Sequence, residues 1–135
     1  MFASIAIPGV FPPLRRDGQV LADGGLVAPV PVRAVRALSG APVVAVNLLG
    51  DYAARGQGHF PSERQRLTLS GVSRAGLSLI TSHVARQALL IDPPDLEIVP
   101  AIGHVDPTDF TRAGELIAAG EDAVAAAWDR IMALR

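Results

Sequence analysis

The sequence predicts an α/β fold, and two observations carry that reading. The stretch 20–22 is short and apolar, runs into Asp23 and turns at once on Gly24 and Gly25, and a helical pattern over 31–39 follows it. Residues 43–49 are then nearly continuous apolar and rich in valine, the signature of a strand buried on both faces. Strand, helix and buried strand in that order make a β-α-β unit, with the two strands parallel and the crossover right-handed.

Before this unit, residues 1–14 are apolar but broken by Pro8, Gly9, Pro12 and Pro13, so they read as a buried, irregular lead-in and not as one helix. Arg16-Asp17-Gly18-Gln19 is polar with Asp-Gly at its centre, a hairpin signal between 11–14 and 19–22. In the helix of the unit, Pro31 suits the first turn, Val32, Val35 and Leu38 keep helical spacing, Arg33 and Arg36 lie off that face, and Gly40 is a natural stop.

The stretch 50–60 is a glycine-punctuated loop whose Gly56 and Gly58 only weakly resemble a phosphate cradle, because no strand leads into them. Ser62 with Gln65 three residues on is a capping-box pattern that starts a helix running to about residue 90. Its apolar residues Leu69, Val72, Leu77, Ile80, Val84 and Leu89 keep a helical period, and Gly71 and Gly76 leave room for close packing or a kink. Asp92-Pro93-Pro94 ends it, and 95–100 alternates as a strand with one polar edge. Two helices close the chain. One is capped by Asp106-Pro107, carries Phe110, Ala113, Leu116 and Ile117 as a stripe and stops at Gly120; the other, over 121–134, has Val124, Trp128 and Ile131 on one side.

Composition narrows the function. At 135 residues the chain suits one domain or a piece of one, and half of it is hydrophobic with only 4% aromatic, so its core is aliphatic. Lys+Arg 12 against Asp+Glu 13 leaves a net charge of −1 with no basic run, which argues against nucleic acid as a partner. With no cysteine there is no disulfide, thiol nucleophile or thiolate metal site, a composition that fits a reducing compartment. No apolar run approaches the roughly 18 residues needed to span a bilayer. A soluble chain is expected, cytoplasmic or in peripheral contact with the inner face of a membrane.

The candidate for chemistry is Asp23. Functional side chains of α/β sheets gather beyond the carboxyl ends of strands, and paired glycines after the acid allow positive φ and close approach of a substrate or another backbone. Asp-Gly is equally a common turn dipeptide, so the octapeptide alone leaves a plain turn open. Other chemistries find less support. His59, His83 and His104 stand far apart with no ligand spacing, so no metal and no cofactor is expected. The nearest approach to a G-x-S-x-G elbow, residues 71–75, has Ala75 where the second glycine belongs and lies within a predicted helix, which makes Ser73 helix surface.

Two motifs carry a resemblance: residues 3–13, ASIAIPGVFPP, and residues 23–32, DGGLVAPVPV. In this order and spacing they resemble the second half of a bacterial patatin-like phospholipase. The likeness continues through 43–49 and into the tail at Asp109-Phe110, Glu115-Leu116-Ile117 and Gly120. The resemblance implies a partial three-layer α/β/α fold with a mainly parallel sheet and a serine-aspartate dyad. It places the dyad aspartate at Asp23 and the motif turn at Gly24 and Gly25. The family's serine elbow and oxyanion glycines precede the region seen here and do not occur in this sequence.

The expectation is therefore that residues 1–135 form the C-terminal part of a patatin-like domain acting on a lipid or ester. Strand 43–49 needs neighbours that the chain does not offer, and Met1 stands directly before the first motif. The chain alone is expected to be inactive, to expose much apolar surface, and to partner either the missing N-terminal half or a self-associating copy. The alternatives are a non-catalytic partner or scaffold domain and a small nucleotide-binding α/β domain.

Overall fold

The structure, a computed structural model, describes residues 2–8, 11–50, 68–105 and 109–134. The expected loop 51–60, the helix start at Ser62 and Gln65 and the cap at Asp106-Pro107 lie outside the described residues. Elements are numbered in chain order as they come.

The chain opens with a 3-10 turn, Phe2–Ile5, and then a hairpin of β1 (Leu14–Arg16) and β2 (Gln19–Leu21), antiparallel with Leu14 opposite Leu21 and Arg16 opposite Gln19. Asp17 at φ 49° and Gly18 at φ 76° make the two-residue connection. Positive φ at both central positions matches the right-handed twist of the flanking strands, which is why Asp-Gly serves here. The lead-in is not buried as expected. Ala6 is covered, but Ile5, Ile7 and Phe11 are exposed, because the short hairpin has too little surface to cover them.

A second 3-10 turn, Gly24–Leu26, leads to helix α1 (Val32–Leu38), which begins directly after Pro31. Only Val32 of its stripe is buried; Val35 and Leu38 face outward. Strand β3 (Val44–Val46) follows, then helix α2 (Leu69–Ile91), strand β4 (Leu96–Ile98), a 3-10 turn Phe110–Arg112 and helix α3 (Ala113–Met132). The threonine before α2 caps it, the Thr68 hydroxyl accepting from the Gly71 amide at 3.1 Å.

The parallel pair is β3 with β4, Val44 opposite Leu96, Ala45 opposite Glu97 and Val46 opposite Ile98. The expected parallel pairing of 43–49 with the strand before Asp23 is therefore not what forms. β2 is taken by its hairpin partner, and β3 instead joins the strand that follows α2. The expected burial on both faces also fails, since β3 alternates. Val43, Ala45 and Asn47 are buried, whereas Val44 and Val46 are 42% and 53% exposed.

Residues opposite one another in a parallel pair share a face, so the alternation sorts the core into two layers. On one face Val43 and Ala45 pack with Val30, Val32 and Ala85 of α2, flanked by Leu49 and Leu89. On the other, Leu96 and Ile98 pack with Ala127 of α3, flanked by Ala123, Ile131 and Leu134. Helices thus cover both faces of the β3-β4 pair. Burying Leu96 and Ile98 contributes about 1.5–3 kcal/mol each, which makes β4 the better anchored strand.

α3 corrects two expectations. It runs unbroken through Gly120, since a glycine between Ala119 and Glu121 costs only about 1 kcal/mol in a long helix and no proline follows. Its buried line is Ala123, Ala127, Ile131 and Leu134, while Ile117 and Trp128 are exposed. Small alanines let the helix lie close on β4, and of the stripe read from the sequence Val124 and Trp128 fall on the outer side while Ile131 packs inward. Phe110, in the 3-10 turn before α3, is exposed as well. Gly76 likewise faces open space and serves no close packing.

Candidate functional site

Asp23 lies two residues beyond β2, as expected, and caps the 3-10 turn that follows. Its Oδ1 accepts from the Gly25 amide at 2.7 Å. Its own amide donates to the Ala6 carbonyl at 3.1 Å, so the two N-terminal motifs are joined through one backbone hydrogen bond. Oδ2 has no protein partner among the described residues, and the side chain is half-buried. One carboxylate oxygen is thereby held in place while the other points to no partner among the described residues.

The glycines work differently from the expectation. Neither Gly24 nor Gly25 adopts positive φ; both follow the 3-10 turn. What Gly25 supplies is room, because a Cβ there would stand 3.0 Å from Asp23 Oδ1, whereas one on Gly24 would meet nothing within 4 Å. The expected cleft at Asp23 finds no support in two shallow grooves along α3. One is lined by Gly120, Glu121, Val124, Ala125 and Trp128 and the other by residues that include Val99, Glu115 and Asp122; neither reaches Asp23.

Three polar constellations went unread in the sequence. At the carboxyl end of β3 the buried Asn47 donates from Nδ2 to Glu97 Oε1 at 2.7 Å and accepts the Leu49 amide on Oδ1 at 3.0 Å. Arg36 ties α1 to the start of β4, donating to the Pro93 carbonyl at 2.8 Å and lying 3.3 Å from Asp92 and 3.2 Å from Asp95. Asp95 in turn accepts the Val43 amide at 2.7 Å, and that bond first, with the Arg36 charge behind it, holds its carboxyl below the usual carboxylate range. His104 lies 2.5 Å from Glu115, whose carboxylate also takes two bonds from Arg112 at 2.8 and 2.6 Å; the His104 bond, then Arg112, lowers the Glu115 pKa. The available signals were an asparagine inside an apolar run and acids flanking the Pro93-Pro94 break. These groups satisfy one another and serve structure. Ser73 is exposed on α2, as read from the sequence, and no His, Asp and Glu cluster able to hold a metal occurs among the described residues.

The segment holding Ala6 and Asp23 is also the one that comparison with known proteins recognises. Residues 1–36 match the family model of the patatin-like phospholipases. Over this segment the chain is similar to that family. A 51-residue stretch is 45% identical to uncharacterized NTE family proteins of Mycobacterium bovis and of two strains of Mycobacterium tuberculosis, CDC 1551 and H37Rv. It covers 38% of this chain and 14% of each relative. The patatin-like segment contains both N-terminal motifs in full, including Asp23, Gly24 and Gly25.

Proposed function

We propose that this chain is the C-terminal portion of a patatin-like lipid acyl hydrolase in which Asp23 is the general base of a serine-aspartate dyad, within a larger three-layer α/β/α domain. The observation that carries the reading is the state of the Asp23 carboxylate, with Oδ1 held by Gly25 and Oδ2 without a protein partner among the described residues. Such a group can take the proton of a serine hydroxyl as its oxygen attacks an ester carbonyl. The proton then passes to the departing alcohol, and water releases the acyl group from the serine by the same route in reverse. The serine and the donors for the oxyanion come from a polypeptide segment other than these 135 residues, in which no G-x-S-x-G occurs.

The test compares hydrolysis of a short-chain p-nitrophenyl ester by this chain, by the chain joined to a segment bearing the serine elbow, and by the joined protein with Asp23→Asn. Activity is expected only in the joined protein and is lost on Asp23→Asn, which keeps the shape and removes the base. Equal turnover with asparagine at position 23 would sink the assignment, and turnover by this chain alone, abolished by replacing one of its own serines, would place the nucleophile within it.

A further inference from the structure

Two Asp-Gly pairs occur in the chain, Asp17-Gly18 and Asp23-Gly24, and the fold holds them differently. The side-chain carboxyl of an aspartate can be attacked by the amide of the next residue, and the approach is least hindered when that residue is glycine. The amide nitrogen bonds to Cγ, one carboxyl oxygen leaves as water, and a five-membered cyclic imide forms. Water then opens the ring at either carbonyl. Opening at Cγ restores aspartate, whereas opening at the main-chain carbonyl leaves isoaspartate, with the chain running through the former side chain and no net change in atoms.

The reaction needs a carboxyl free to swing onto the next amide and a backbone free to turn toward it. At both sites the attacking amide, of Gly18 or of Gly24, donates to no acceptor among the described residues, so the two acids make the difference. Asp17 stands at the tip of the β1-β2 hairpin with its side chain 88% exposed, and its ion pair is with Arg16 at 3.4 Å, itself 74% exposed, a contact that restrains little. Its φ of 49° is one that a side chain disfavours, and a hairpin of two three-residue strands is marginal by itself, so the tip opens at small cost. Asp23 is half-buried, its Oδ1 is tied to the Gly25 amide at 2.7 Å, and its own amide is tied to the Ala6 carbonyl. From this contrast we infer that Asp17-Gly18 is a site of spontaneous isoaspartate formation and that the fold protects Asp23-Gly24 from the same reaction. Isoaspartate adds one carbon to the main chain. The connection is then no longer the two-residue turn whose positive φ angles match the strand twist, and the register that sets Arg16 opposite Gln19 is lost. Asp23 follows β2 by two residues, so the modification disturbs the strand that leads to the candidate base.

The test ages the intact 135-residue chain in neutral buffer, folded and in urea, with circular dichroism to report the state of each sample. Isoaspartate is located by digestion with a protease that cuts before aspartate but not before isoaspartate, and by electron-transfer fragmentation of the resulting peptides. In the folded chain the product is expected at position 17 about tenfold or more above position 23, the scale that hydrogen bonds kept at Asp23 would set. In urea the two positions are expected to come within about twofold of each other, because the restraints are gone and both acids precede glycine. Asp17→Glu, whose longer side chain cannot close the five-membered ring, is expected to remove the product at that position. Equal accumulation at the two positions of the folded chain, or an excess at 23, overturns the inference. So does a preference for 17 undiminished in urea, which would belong to the local sequence and not to the fold, an absence of isoaspartate at 17 in the folded chain, or a signal there that survives Asp17→Glu.

Discussion

The amide of Asp23 donates to the carbonyl of Ala6 across 3.1 Å, and this bond fastens the acid of one motif to the backbone of the other. Ala6 is 4% exposed, so its carbonyl is a sheltered partner whose loss would be felt. The position of the candidate base therefore depends on the lead-in as well as on its own turn. The same acid caps the turn through Gly25, which gives the carboxylate a structural duty separable from any chemistry.

That separation makes the first prediction. Asp23→Ala removes the cap and is expected to cost about 1 kcal/mol of stability, whereas Asp23→Asn keeps an oxygen able to accept from Gly25 and is expected to cost less than half as much. Chemical denaturation of the three proteins measures this. Equal losses in both variants would mean that the bond to Gly25 depends on the charge.

A second prediction concerns Gly50. A Cβ there would stand 2.6 Å and 3.1 Å from the two methyl carbons of Val99 and 3.3 Å from Asn47 Nδ2, so the turn after β3 closes against β4 only without a side chain. Gly50→Ala is expected to destabilise by about 1–3 kcal/mol through overpacking. Val99→Ala in the same chain should recover most of that loss. By contrast Gly120→Ala, inside α3 with nothing within 4 Å, should stabilise by about 0.5–1 kcal/mol. Thermal melting of the unaltered chain and the three variants decides both signs.

Acid should loosen two specific joints. Asp95 and Glu115 both titrate below the usual carboxylate range in the folded chain, Asp95 chiefly through the Val43 amide and Glu115 chiefly through His104. A depressed folded pKa contributes stability that is fully present above the unfolded values of about 3.9 and 4.3 and is lost as pH falls through the folded ones. The urea midpoint is therefore expected to be insensitive to these two groups from pH 7 to 5 and to decline because of them below about pH 4. Asp95→Asn with Glu115→Gln should flatten that decline, and an unaltered slope in the double variant would assign it to other groups.

How much of this was legible follows from how local each cause is. The Asp17-Gly18 turn, the start of α1 after Pro31 and the strand at Leu96–Ile98 depend on neighbouring residues, and local spacing showed them. The α/β class and the place of Asp23 past a strand end were legible for the same reason. The partner of β3 was not, because pairing with β2 or β4 is a choice between two distant segments that β3 itself does not encode. The outer face of α3 misled for another reason. Val124, Trp128 and Ile131 keep a helical period, yet only Ile131 of the three packs inward and the close approach to β4 is made by Ala123 and Ala127, so size, not hydropathy, decides which stripe fits. Asn47 inside a valine run reads as strand until Glu97, opposite Ala45 in the parallel pair, comes within hydrogen-bond reach of its side chain.

The last prediction uses the two motif glycines against each other. Both sit in the same 3-10 turn with ordinary backbone angles, so alanine at either position meets no conformational bar. They differ in space. A methyl on Gly24 points into the open, while one on Gly25 would stand 3.0 Å from Asp23 Oδ1, so the carboxylate must give by a few tenths of an ångström. If Asp23 is the base for a serine supplied by another segment, that shift alters the geometry of proton transfer, and misplacement on this scale is costly because attack depends on near-contact alignment. In the joined, serine-bearing protein, Gly25→Ala is expected to lower kcat for a p-nitrophenyl ester about tenfold or more with little change in KM, and Gly24→Ala to leave both within about twofold. The chemical shift of the residue 25 amide, which reports its bond to Asp23, should move in the first variant only. A loss of activity shared equally by the two variants would tie it to the turn as a whole and remove the special role of the space beside Asp23.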